Sequence, residues 1–258
     1  MQHKIFKKKR NFSFLIFFIL LIPLFLPACS YLFPKTTEPT QYNLFSSGQE
    51  KMSKKKFKQA QEVFQRVLDE TTDNELRIRA LMNLGDSFFE NGEYEEAKFQ
   101  YKKFLELYPA HELAVRAQYQ LGMCDFLRMK VSTRDQTYTK NAIDAFQKVI
   151  DKYPKSIYAE DSKKKRDFAL SKIAEHELEI GKFYFKQDQY HAAIYRFNEL
   201  LKKYPDLKFV DEILYYLGES YYKEQSLDKA KKTYEKLISE YPKSKFARYA
   251  KRRLDRLK

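Results

Sequence analysis

The sequence predicts an all-α chain, five helical hairpins stacked in a solenoid behind an N-terminal export segment, and three observations carry that expectation. Five of the six glycines, Gly48, Gly85, Gly122, Gly181 and Gly218, form one series with spacings of 37, 37, 59 and 37 residues. Twelve residues after four of them stands an alanine (Ala60, Ala97, Ala193, Ala230), followed four residues later by an aromatic (Phe64, Tyr101, Phe197, Tyr234). Tyr-Pro pairs then close the units at Tyr108-Pro109, Tyr153-Pro154, Tyr204-Pro205 and Tyr241-Pro242. A unit this short cannot bury its apolar face alone and must stack on its neighbours. Gly and Ala mark close helix crossings, the aromatics are expected to wedge between hairpins, and proline stops the second helix because it disfavours helical geometry just before itself.

From the amino terminus, Lys4, Lys7, Lys8, Lys9 and Arg10 precede an apolar run from Phe12 to Leu26. Basic then apolar is the order of a secretory signal, and the run is short of the roughly 20 residues a membrane-spanning helix needs. Its end, Leu26-Pro27-Ala28-Cys29, resembles the lipobox of bacterial lipoproteins, although Pro27 departs from the usual residue there. The resemblance implies that residues 1–28 are a signal peptide. It further implies that the Cys29 thiol carries a diacylglycerol and its freed amine an acyl chain such as palmitate, the only cofactor-like group expected. Ser30, not being Asp, directs such lipoproteins to the outer membrane, and two or more buried acyl chains anchor stably. Residues 29–42, with Pro34, Pro39 and three threonines, read as the lipidated cysteine and a flexible tether.

The columns that follow resemble the tetratricopeptide repeat, best in repeats two (Leu84-Gly85, Phe88, Tyr94, Ala97, Tyr101, Pro109) and five (Leu217-Gly218, Tyr221, Ala230, Tyr234, Pro242). That likeness implies a right-handed solenoid. Repeat one has Thr72 where proline is expected. Repeat three holds extra residues from about Lys130 to Thr137, and the first helix of repeat four is expected to be long, starting near Tyr158. Residues 43–127 then comprise repeats one and two with the first helix of repeat three, residues 128–242 the remainder, and residues 243–258 a capping helix.

Composition argues for binding rather than catalysis. The formal net charge is +14, and residues 1–28 account for five basic and no acidic residues of it. The remaining positives are read as scattered among acids, a solvated surface, with no nucleic-acid partner. Cys29 and Cys124 are the only cysteines, so no disulfide framework exists and Cys124 reads as a small core residue. His111, His176 and His191 have no partner at metal spacing, and no GxSxG, GxxxxGK or CxxC occurs. An enzyme is not expected.

A hairpin solenoid offers a concave groove lined by the first helix of each unit. The repeat frame places Phe45, Met52, Met82, Phe89, Tyr119 and Phe126 on it, with Phe185, Tyr215 and Tyr222 further along and Arg79 and Arg116 on the same wall. Such a surface suits an extended apolar peptide whose carboxylate or backbone oxygens the arginines hold.

The match is more specific in repeats three and four. Ser132-Thr133-Arg134-Asp135-Gln136, Ala142 to Phe146, and Tyr153-Pro154-Lys155-Ser156-Ile157-Tyr158-Ala159-Glu160-Asp161 occur in order. After them come Ala174-Glu175-His176-Glu177-Leu178, Gly181, Tyr184, Tyr190, Ala192-Ala193, Arg196-Phe197 and Tyr204-Pro205-Asp206. This resembles the BamD (ComL-type) family of outer-membrane assembly lipoproteins. The resemblance implies attachment to the periplasmic face of the outer membrane, and binding of the periplasmic domains of BamA by the C-terminal repeats. It implies also reception of unfolded β-barrel proteins by the N-terminal ones, alongside other assembly lipoproteins. It places Arg196 against an acidic residue of BamA; by sequence alone Glu199 and Asp188 offer it only a weak exposed pair. The alternative is a repeat lipoprotein of another task, a pilotin for a secretin or an adaptor for cell-wall enzymes.

Overall fold

The computed structural model describes residues 40–129, 135–205 and 207–257. The expected signal peptide, Cys29, the tether up to Pro39 and the segment 130–134 of the repeat-three insertion lie outside the described residues. Among the described residues there are eleven helices. They are α1 Gln41–Ser53, α2 Phe57–Glu70, α3 Asn74–Glu90, α4 Tyr94–Leu107, α5 Ala114–Phe126, α6 Thr137–Lys152, α7 Ala159–Lys186, α8 Tyr190–Lys203, α9 Val210–Lys223, α10 Leu227–Glu240 and α11 Lys245–Leu254. Each packs on the one before and the one after it, which is the stacked-hairpin order the repeats require.

The series glycines lie within the first helix of each hairpin, Gly181 near the end of the long α7, and the aromatic sixteen residues on, or twenty-four in repeat three, lies directly over them. A Cβ built on Gly181 would stand 2.4 Å from Phe197 Cε1, and one on Gly85 2.7 Å from Tyr101 Cε1. The rings of Phe64, Tyr101, Phe146, Phe197 and Tyr234 are fully buried. Each ring is seated on its own hairpin's glycine and packs on the following hairpin as well, the wedge the repeat frame led us to expect: Phe64 shares a core with Leu76, Ala80 and Leu84, and the Phe197 ring lies 6.2 Å from that of Tyr216.

The first hairpin forms without a Tyr-Pro closure. After α2 the backbone turns extended at Thr71 (φ −82°, ψ 136°), and the Asp73 side chain caps α3 by accepting from Leu76 N at 3.1 Å. A carboxylate N-cap thus starts the next helix where proline elsewhere stops the last one. The tether also ends sooner than residue 42, because Thr40 caps α1 by accepting from Asn43 N. Thr137 belongs to α6 rather than to the insertion.

Seven residues after four of the glycines, the hairpin turn passes through left-handed backbone, at Lys55 (φ 56°), Gly92 (φ 79°), Asp188 (φ 57°) and Gln225 (φ 59°). Only one of these is glycine, so three turns carry a strained residue. Helix α7 is 28 residues long and starts one residue after Tyr158. No Gly or Pro interrupts positions 155–180, which leaves it free to run on and to pack against both α6 and α8. The last helix buries Ala247 and Ala250 against α9 and α10 and closes the stack. Among the described residues, the apolar clusters are built wholly between Leu44 and Leu257, so residues 40–258 carry their own core.

Candidate binding surfaces

The positions four residues after the series glycines remain at the surface. Met52, Phe89, Phe126, Phe185 and Tyr222 are all half-buried. Those three residues before the glycine behave differently. Phe45 is 4% exposed and Met82 1%, which removes both from the expected groove and puts them in the core. The reason is helical geometry: one turn before the glycine the side chain points at the second helix, where the Phe45 ring lies 5.6 Å from that of Phe64. Tyr119 at the same register is half-buried because its hydroxyl donates to the Asp161 carboxylate and its ring packs 5.0 Å from Tyr158. It therefore ties α5 to α7. The Phe126 ring sits 5.7 Å from the exposed Phe168, with the Lys165 ammonium 5.2 Å above it.

The two arginines of the wall part ways. Arg79 is exposed, its guanidinium 5.1 Å from the Phe45 ring. Arg116 is engaged: its Nη2 donates to Asp86 Oδ2 at 2.5 Å. Asp86 also accepts from the Tyr101 hydroxyl at 2.9 Å. Burial lifts the Asp86 pKa above the usual carboxylate range, against the opposing pull of Arg116 and the Tyr101 hydrogen bond. The carboxylate expected to come from a peptide is supplied by the protein itself.

The same pairing recurs along the wall. Lys182 on α7 reaches Glu212 on α9 at 2.9 Å, and Arg253 on α11 holds Glu219 on α9 at 2.6 and 2.8 Å, with the Tyr234 hydroxyl donating to Glu219 at 2.6 Å. Acid, buried tyrosine and arginine appear together where the seated ring is a tyrosine. With Phe197 as the ring, the residue after the glycine is Lys182 and the signs are reversed. These inter-hairpin pairs were outside the reading of the sequence, yet opposite charges 30 to 34 residues apart, each starting just after a series glycine, would have pointed to them.

Arg196 has a partner that the sequence did not suggest. Its Nη1 lies 3.4 Å from Glu177 Oε2 on the preceding helix, with the two side chains 40% and 35% exposed. The guanidinium is 6.0 Å from the Tyr184 ring. At that distance and exposure the pair is weak, under about 1 kcal/mol. Among the described residues, no three His, Cys, Asp or Glu side chains converge as a metal site. No helix among them is long and apolar enough to cross a membrane.

A stack of tetratricopeptide-type hairpins tied to one another by ion pairs defines a helical-repeat protein. The chain belongs to the YfiO family of outer membrane lipoproteins, whose family model matches residues 37–236. It is 34% identical over 144 residues to the outer membrane protein assembly factor BamD of Rickettsia prowazekii, covering 56% of this chain and 57% of that protein. The BamD of Caulobacter vibrioides is 29% identical over 146 residues (57% and 48%), and that of Pasteurella multocida 27% over 196 residues (72% and 74%). The chain thus spans about half the length of the first two relatives. Among solved structures, the TPR2AB-domain:pHSP90 complex of yeast Sti1 aligns over 82% of this chain and 81% of that one, at 18% identity and a TM-score of 0.44.

Proposed function

We propose that this chain is a lipid-anchored subunit of the machinery that assembles β-barrel proteins into the outer membrane. In this reading Cys29 carries the lipid at the periplasmic face, the C-terminal half binds the periplasmic domains of BamA, and the N-terminal half receives unfolded barrel proteins. The observation that carries it is the family match from residue 37 to 236, across nearly the whole hairpin stack, with relatives that are named as assembly factors. The chain works by binding; it does no chemistry of its own.

In this reading the substrate surface is smaller than the expected groove. With Phe45 and Met82 in the core and Arg116 held by Asp86, the contacts left for an extended peptide are Met52, Arg79, Phe89 and Phe126. On the BamA side, the weak Arg196–Glu177 pair leaves the guanidinium ready to exchange its partner for an acidic residue of another protein. A charge pair desolvated in an interface costs several kcal/mol to break by truncating one side, whereas losing an exposed arginine costs the fold little.

The experiment is a pull-down with Arg196→Glu. BamA recovery should fall while the melting point stays near wild type, and full recovery would remove this residue from the interface. Cys29→Ala should in parallel leave protein at the inner membrane or release it. Equal outer-membrane recovery of wild type and that variant would sink the anchor.

A further inference from the structure

The excess positive charge of the folded body is confined to one end. Residues 29–226 carry 32 Lys+Arg against 31 Asp+Glu, whereas residues 227–258 carry 12 against 4. This corrects the expectation that the positives are scattered among acids. Helix α11 holds five basic residues and no acidic one. Its apolar side is already occupied, with Ala247, Ala250, Phe246 and Leu254 packed into the last core cluster. What faces outward is mostly basic: Lys245, Arg248, Lys251 and Arg252 on α11 are exposed with no acid on that helix, and Lys229, Lys231, Lys232 and Lys236 on the adjacent α10 are exposed beside three acids, Asp228, Glu235 and Glu240. Arg253 alone on α11 is directed inward, to Glu219. In the middle of the stack, by contrast, Lys165, Arg166, Lys172 and Lys182 each have a carboxylate within 4.0 Å.

We propose that this C-terminal end of the stack is a docking surface for a bilayer of anionic phospholipid. Charge complementarity requires an anionic occupant. A face on which long flexible cationic side chains predominate suits a fluid array of headgroup phosphates, which meets each cation wherever it reaches. A protein partner needs a matched geometry around an apolar centre, and here the exposed large apolar groups are only Leu227 and Tyr249. Tyr249 has the Arg252 guanidinium 5.1 Å above its ring, an aromatic with a polar tip beside a cation, which is the chemistry of a membrane-water interface. Membership in a family of outer membrane lipoproteins puts a bilayer within reach. A basic patch adds a second attachment to an acyl anchor and holds the far end of the stack against the membrane.

The test is sedimentation of residues 40–258, which contain the whole core and no lipid anchor, with vesicles. Binding is expected to vesicles containing phosphatidylglycerol and not to vesicles of phosphatidylcholine alone, with release at high salt as the charges are screened. The triple change Arg248→Gln, Lys251→Gln, Arg252→Gln should weaken binding roughly ten-fold or more with the helical signal unchanged. A matched triple on the middle of the stack, Lys155→Gln, Lys163→Gln, Lys164→Gln, should leave binding within about two-fold. Equal loss from the two triples would reduce the effect to net charge and overturn the site. Indifference to phosphatidylglycerol would overturn it as well and leave the face to an acidic protein.

Discussion

Asp86 and Arg116, thirty residues apart on successive hairpins, meet at 2.5 Å, and the Tyr101 hydroxyl completes the carboxylate's set of donors. The Asp86 side chain is 11% exposed and that of Arg116 36%. Removing the arginine leaves a mostly buried carboxylate short of its cation, the costly way to break such a pair.

Arg116→Ala should therefore lower stability by about 2 kcal/mol at neutral pH, less than for a fully buried pair. The pH dependence follows from linkage. Burial already holds the folded pKa of Asp86 above its unfolded value, and losing Arg116 raises it further. A raised folded pKa means more protons bound when folded, so stability falls as pH rises through that value. The deficit of Arg116→Ala should shrink as the pH is lowered and grow as it is raised, in denaturant melts across that range. Asp86→Asn in the same chain should recover most of it. A deficit that grows on acidification would contradict the assignment.

Substitutions in the groove should divide by register. Phe45→Ala and Met82→Ala should cost about 3 to 5 and 2 to 5 kcal/mol of stability, as core truncations do. Phe89→Ala and Arg79→Ala, at half-buried and exposed positions, should melt closer to wild type. Those two should weaken crosslinking to an extended apolar peptide with a free C-terminal carboxylate. Unchanged crosslinking in variants that fold would assign the stripe to structure.

Gly181→Ala tests the seat of the ring. A methyl 2.4 Å from Phe197 Cε1 and 2.9 Å from its Cδ1 forces the ring or the helix to shift. The expected loss is about 1 to 3 kcal/mol, the usual cost of overpacking. Adding Phe197→Leu should restore part of it, and a double variant whose loss simply equals the sum of the two singles would mean that the two do not share a site.

The hairpin frame is legible in the sequence because it rests on composition at fixed intervals: a glycine that only a ring can cover, and a Tyr-Pro stop. The first hairpin's ending is less so, since Thr71 and Asp73 act through backbone and cap geometry that a search for proline passes over. The groove is legible only in part. Phe45 and Met52 are both apolar on one helix, seven residues apart, and their difference lies in what the second helix covers. Arg116 and Arg196 read as unpartnered because Asp86 and Glu177 come from neighbouring helices whose placement no local spacing fixes. The basic C-terminal end is present in the sequence but hidden by the total charge, and a count by segment exposes it.

Cys124 should be chemically silent. It is fully buried, and burial, with Asp125 adding to it, pushes its thiol up to about 12. At pH 8 a disulfide reagent should label native protein, with Cys29 replaced, only at the rate of unfolding, and label it at once in denaturant. Rapid labelling of the native state would show that the α5 packing is open.

The most direct measurement is the identity of what the intact chain retains when drawn from membranes in mild detergent. Stoichiometric BamA, lost in Arg196→Glu, is the result expected of an assembly subunit. A secretin or a cell-wall enzyme in its place, with BamA absent, would contradict that reading and make the chain a repeat lipoprotein of another task.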